Sequence, residues 1–204
     1  MGEMDLAGLD ACVERQLGRW TVPGAVVGIW RDGQTELRAY GIANLDVGWP
    51  VRSDMRFRIA SISKVFTATL AMTLVDEGVL DLDRPIVEYL PEVEMMDAEA
   101  RAAITMRQLL SHTSGLYGDY SADFGLGDDA MMRAMVIFKT LPQQTRPGEI
   151  WAYCNSGFQL AGTVIARILD TTFDGAMEER VFRPAGLSGT CYAAHETFGG
   201  CGYR

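Results

Sequence analysis

Two short strings in this chain hold residue types that could do chemistry. The first is the tetrad Ser61-Ile62-Ser63-Lys64, placed where an extended segment, Met55 to Ala60, gives way to a long amphipathic helix. Residues three apart lie on one helix face, so Lys64 can reach the Ser61 hydroxyl. A helix N-terminus adds unpaired N–H groups and a positive dipole end. A hydroxyl, an amine able to give up a proton and donors for a developing oxyanion are the parts of acyl transfer. The chain has 16 Arg and only two Lys, Lys64 and Lys139. Arginine supplies most of the positive charge, whereas lysine is the cation that can also serve as a base.

With eight Ser and two Lys in 204 residues, a Ser three places before a Lys arises by chance in about one such chain in twelve. A helix that opens with Ser and uses Lys as a solvated charge has the same spelling. The second string, Tyr153-Cys154-Asn155, follows the turn Arg146-Pro147-Gly148-Glu149 and precedes another amphipathic helix, so it belongs to a fixed loop beside a helix start. Its local alternative is Asn155 as an N-cap, with Tyr153 a half-buried aromatic.

The elements that must position these residues are legible from periodicity. Leu6, Leu9, Val13, Leu17 and Trp20 recur at helical spacing and predict an N-terminal helix that packs on a sheet and ends at Pro23-Gly24. Ala25 to Trp30 reads as a buried strand, and Arg31-Asp32-Gly33-Gln34 as a turn into Thr35 to Tyr40, which makes a β-hairpin. After the tetrad, Val65, Phe66, Thr69, Leu70, Met72, Leu74 and Val75 leave few polar positions before Gly78, which predicts a helix buried on most sides. Such a setting would favour the neutral form of Lys64, the direction a general base needs. From Leu80 to Leu187 helical segments alternate with Pro- and Gly-marked loops, including a helix over 157–169 that buries Leu160, Ala161, Val164, Ile165 and Ile168. The stretch Gly115 to Gly127, with Tyr117, Tyr120 and Phe124, reads as an anchored loop, with a substrate lid as the alternative.

Several segments together resemble the serine hydrolases related to class C β-lactamases and penicillin-binding DD-peptidases. Phe57-Arg58-Ile59-Ala60-Ser61-Ile62-Ser63-Lys64 is similar to that family's nucleophile motif, and Asp76 to Asp83 to the segment after its helix. Ile104 to Leu116, which contains Ser111-His112-Thr113-Ser114-Gly115, resembles another family stretch. Pro147-Gly148-Glu149 with Tyr153-Cys154-Asn155-Ser156-Gly157-Phe158 resembles the second catalytic motif and its lead-in. The resemblance runs from about Val22 to Leu187.

It implies an α/β + α fold, an antiparallel sheet flanked by helices plus a helical subdomain, with the site in the cleft between them. Residues 1–80 would be the N-terminal portion of the α/β domain, including the start of the nucleophile helix, residues 81–187 the helical subdomain, and 188–204 a truncated return segment. Ser61 would attack an ester, amide or β-lactam carbonyl, Lys64 and Tyr153 would share the proton transfers, and Asn155 would bind substrate or Lys64. No metal or other cofactor is implied. His112 falls near the catalytic set but outside it, in keeping with a structural hydrogen bond in its loop.

The family's third motif, Lys-Thr-Gly or His-x-Gly on a later strand, has no counterpart here. Lys139-Thr140-Leu141 precedes Tyr153, and His195-Glu196-Thr197 lacks the glycine. The chain therefore reads as the first part of a longer enzyme, with the C-terminal strands of the sheet missing. Esterase or peptidase activity is the favoured expectation, ahead of β-lactam hydrolysis. The competing expectation is an impaired fragment or a partner-binding module, open to self-association or to a complementing chain through the incomplete sheet.

Net charge −9 and a pI near 4.7 argue against nucleic acid or an anionic membrane as partner. The first twenty residues show no secretory signal, so the expectation is cytoplasmic. Cys12, Cys154, Cys191 and Cys201 lack metal-ligand spacing and read as free thiols, with an oxidised Cys191–Cys201 pair as the alternative.

Overall fold

The structure, a computed structural model, describes residues 6, 8–120, 122–125 and 127–192. Asp32 and Gly33 both take left-handed backbone angles, φ 52° and 81°, between the paired residues Arg31 and Gln34. Two residues of positive φ make the tight primed turn whose twist matches a hairpin, and the sequence Asp-Gly supplies it. The flanking strands are β1, Gly24–Arg31, and β2, Gln34–Asn44, antiparallel from Gly24↔Gly41 to Arg31↔Gln34. A two-residue strand β3, Trp49–Pro50, pairs with the far end of β2. Ahead of them lies helix α1, Leu9–Trp20, closed by Thr21 in a left-handed conformation. The Tyr40 hydroxyl donates to Asp10 Oδ1 at 2.7 Å and ties α1 to β2.

These elements belong to one compact unit, Met1–Arg58 with Gly189–Arg204. Its strands are less buried than their composition predicts. β1 is half-buried along Gly24 to Val27, and Trp30 is exposed. Among the described residues β1 pairs only with β2. Most of the expected return segment, with His195 and the Cys191–Cys201 pairing, lies outside the described residues. Cys12, Cys154 and Cys191 are free thiols.

The second unit, Ile59–Ser188, is helical. It contains α2, Ser63–Asp76; α3, Ala98–Ala103; α4, Met106–Leu110; α5, Ala130–Ala134; α6, Asn155–Leu169; and α7, Phe173–Met177. Side-chain caps start four of them: Asp97 on α3, Thr105 on α4 in a reciprocal capping box with Gln108, Cys154 on α6 and Thr172 on α7. One core joins Leu70, Ala71 and Leu74 of α2 to Leu160, Ala161, Val164 and Ile165 of α6, with Phe138 and Met177 fully buried beside them. Ile168 of α6 is half-buried rather than buried.

Helix α2 departs from its expected burial. Thr67, Leu70, Ala71 and Leu74 form one buried stripe, whereas Val65 is 65% and Met72 41% exposed. Apolar residues on both faces hide the amphipathic direction from the sequence. The stripe predicts the outcome of paired substitutions: Leu70→Ala should destabilise this unit by about 2–5 kcal/mol. Val65→Ala should change stability by no more than about 0.5 kcal/mol. Urea unfolding of both variants would decide, and equal losses would mean that α2 is covered on both faces.

Candidate active site

Ser61 does not lie in α2. It sits in a 3₁₀ turn, Ala60–Ile62, that runs straight into that helix. The turn is entered through Ala60, whose φ of 45° is uncommon for a residue with a Cβ, and the Ser63 hydroxyl donates to the Ala60 carbonyl at 2.7 Å to close it. Strained backbone of this kind persists where the surroundings hold it, and it collects at functional positions. Lys64, in the first turn of α2, is half-buried rather than buried, and its Nζ lies 3.4 Å from Ser61 Oγ.

The partner segment is laced to the loop before it. The Ser156 hydroxyl donates to the Tyr117 carbonyl at 2.6 Å, and Asn155 and Ser156 donate their N–H groups to the Gly118 carbonyl at 3.0 and 3.3 Å. A Cβ on Gly118 would run into the Tyr153 carbonyl, so the close approach requires glycine there. Cys154 Sγ accepts the Gly157 N–H at 3.2 Å and caps α6. The thiol takes the capping role that the sequence also allowed to Asn155, which is the first helical residue and keeps its side chain free for another contact.

That contact is with Lys64. Asn155 Oδ1 accepts from Lys64 Nζ at 2.7 Å, and Asn155 Nδ2 donates to Asp119 Oδ1 at 2.9 Å. A cation on one side and a carboxylate on the other fix which end of the amide faces which. The Tyr153 hydroxyl donates to Ser61 Oγ at 2.6 Å, and Lys64 Nζ lies 4.7 Å from the centre of the Tyr153 ring. Ser61, Lys64, Tyr153 and Asn155 thus meet in the second unit, joined by hydrogen bonds. The arrangement holds a hydroxyl against a phenol and an amine, groups able to exchange a proton with it.

The electrostatics run in that direction. Lys64 beside the phenol, with the Ser61 hydrogen bond second, holds Tyr153 below its ordinary value of 10.0. Asp119 is a contact that sequence reasoning missed; it sits in a turn-rich loop at no spacing from Tyr153 or Asn155 that a motif would flag. In the same loop the Tyr120 hydroxyl donates to Gln159 Oε1 on α6, and burial pushes the Tyr120 phenol up to about 12. Tyr120 is therefore an anchor, and Tyr117 is 40% exposed.

A family profile described as Beta-lactamase matches residues 9–197, a span wider at both ends than the resemblance read from the motifs. Penicillin-binding protein 4 of Amycolatopsis lactamdurans is 37% identical over 166 residues, covering 81% of this chain and 44% of that protein. Esterase EstB of Burkholderia gladioli is 31% identical over 196 residues, covering 89% of this chain and 50% of the esterase. A solved class C beta-lactamase superposes with a TM-score of 0.81 at 23% identity, over 95% of this chain and 52% of its own. The fold is that of the class C β-lactamases, an antiparallel sheet with helices, and the chain spans about half the length of the curated relatives it matches.

The Tyr153 environment yields a titration with a definite sign. Lys64 favours the phenolate, so Lys64→Met should raise the Tyr153 pKa. NMR titration of ring-labelled tyrosine would follow it. An unmoved Tyr153 would show that Lys64 is not what holds its pKa down.

Proposed function

The chain belongs to the β-lactamase family, and from that membership we propose that it is a serine hydrolase that cleaves an ester or amide through an acyl-enzyme on Ser61. The observation that carries this reading is the pair of contacts on one oxygen: Tyr153 hydroxyl at 2.6 Å and Lys64 Nζ at 3.4 Å from Ser61 Oγ. A serine hydroxyl is a weak nucleophile until a neighbouring base takes its proton. The phenolate of Tyr153, which Lys64 favours by holding that pKa below its ordinary value, meets that need.

In this mechanism Ser61 Oγ forms a bond to the substrate carbonyl carbon as its proton passes to the Tyr153–Lys64 pair. Collapse of the tetrahedral species breaks the bond to the leaving group, which departs with that proton. Water then attacks the acyl carbon and gives a proton to the same pair, the acid is released, and Ser61 regains its hydrogen. Asn155 keeps the lysine on the serine side through its 2.7 Å bond. Relatives named esterase and penicillin-binding protein support an ester or a peptide-like amide as substrate.

Fluorophosphonate and penicillin probes test the reading on the purified chain without its natural substrate. Mass spectrometry should find the adduct on the peptide containing Ser61, and Ser61→Ala should abolish it. Lys64→Arg keeps the charge but not the ability to give up a proton, so labelling should slow by about 100-fold or more while the fold persists. Labelling that survives Ser61→Ala, or that appears on Ser63, would sink the assignment; undiminished labelling of Lys64→Arg would leave Lys64 a structural charge only.

A further inference from the structure

We propose that His112, as the neutral ring protonated on Nε2, is the positioning residue that holds Tyr153 against Ser61. The proposal rests on the reading of Ser61 and Tyr153 given above and concerns how Tyr153 is kept in place.

One residue grips Tyr153 from three sides. The His112 carbonyl accepts the N–H of Ala152 at 2.9 Å, on the near side of Tyr153 in sequence. His112 Nδ1 accepts the N–H of Cys154 at 3.0 Å, on the far side. Between these two bonds the imidazole lies against the Tyr153 ring itself, centroids 4.6 Å apart and planes tilted by 32°. His112 reaches both neighbours because its own backbone is left-handed, φ 60°, a conformation in which histidine is among the enriched residue types. Phe158, with its centroid at 5.0 Å, and Trp151, with its centroid at 6.0 Å and its plane near perpendicular, pack on the rest of the imidazole. At the far end of the grip Cys154 also caps α6 with its thiol.

The grip needs one protonation state. An N–H donor points at Nδ1, so that nitrogen must carry a lone pair, and in the neutral ring the proton is then on Nε2. Among the described residues, Lys64 of α2 is the charged group that acts on the ring, against which the Tyr153 ring packs, and the lysine opposes a second positive charge. Burial first, and Lys64 second, hold His112 below its ordinary 6.5. Protonation would set N–H against N–H and release the Cys154 contact. The positioned state is therefore complete above pH 6.5 and is lost as pH falls through the lowered His112 pKa.

Two variants separate the lone pair from the ring. His112→Asn tolerates the left-handed backbone, carries Oδ1 the same number of bonds from Cα as Nδ1, and does not titrate. His112→Phe keeps the stack and has no acceptor. Nitrogen-15 NMR of the wild-type chain at pH 7 should show Nδ1 unprotonated. The Tyr153 phenol should keep its lowered pKa in His112→Asn and move back up in His112→Phe, a readout independent of activity.

With a fluorophosphonate probe, His112→Phe should react about 10-fold or more slowly at pH 7 with half-saturation unchanged. His112→Asn should react near the wild-type rate and lack the wild-type's step below pH 6.5. A proton found on Nδ1, a His112→Phe variant with the wild-type Tyr153 pKa, or an acid step that persists in His112→Asn would each overturn the proposal. If the wild-type chain takes no label while Tyr153 responds as described, the hydrolase reading fails and the positioning role stands.

Discussion

The hydrogen bond from Lys64 to Asn155 joins the first turn of α2 to the first residue of α6, and the other polar contacts of the site are arranged around it. It cannot by itself hold two helices together. A net charge-assisted bond contributes about 1.5–3 kcal/mol at best, and this one is partly open to water. A single buried leucine contributes as much, and the shared core of α2 and α6 includes Leu70, Leu74, Leu160, Val164 and Ile165. The apolar stripes therefore fix the helices against each other, and the polar bond selects the register in which a lysine, an asparagine and a serine face one another.

Around that bond the charges nearly cancel. Asn155 stands between Lys64 and Asp119, its carbonyl toward the cation and its amide toward the carboxylate. The chain carries a net charge of −9, so a lone lysine would already sit in a favourable field. Asp119 adds direction: it holds the amide in one of its two orientations, and only one presents an acceptor to Lys64.

Motif spelling and periodicity reveal a large part of this. Ser61, Lys64, Tyr153 and Asn155 are found by residue type and spacing, and the structure brings their side chains within hydrogen-bond reach. The Asp32-Gly33 turn and the buried stripe of α6 follow from local chemistry and a clean 3.6-residue period. What escapes the sequence depends on three dimensions. Val65 and Met72 are as apolar as Leu70, so α2 reads as covered on all sides although it is covered on one. Cysteine is not a residue that sequence rules place at an N-cap, so Asn155 looked equally suited to that place. The roles of Asp119, Gly118 and the His112 ring arise from two loop segments lying side by side, some forty positions apart in sequence, and no periodicity encodes that.

The site's closest contacts span most of the second unit's length: Ser61 and Tyr153 are 92 positions apart and Lys64 and Asn155 are 91. Neither half of the constellation has local sequence to bring it to the other, and closing a loop of that length has an entropic cost that must be met before any polar contact forms. Assembly of the four side chains therefore requires the docking of α2 on α6, which no local winding of either helix supplies. Contacts of such long range slow folding in general, which makes the Ser61–Tyr153 bond a reporter of tertiary closure rather than of secondary structure.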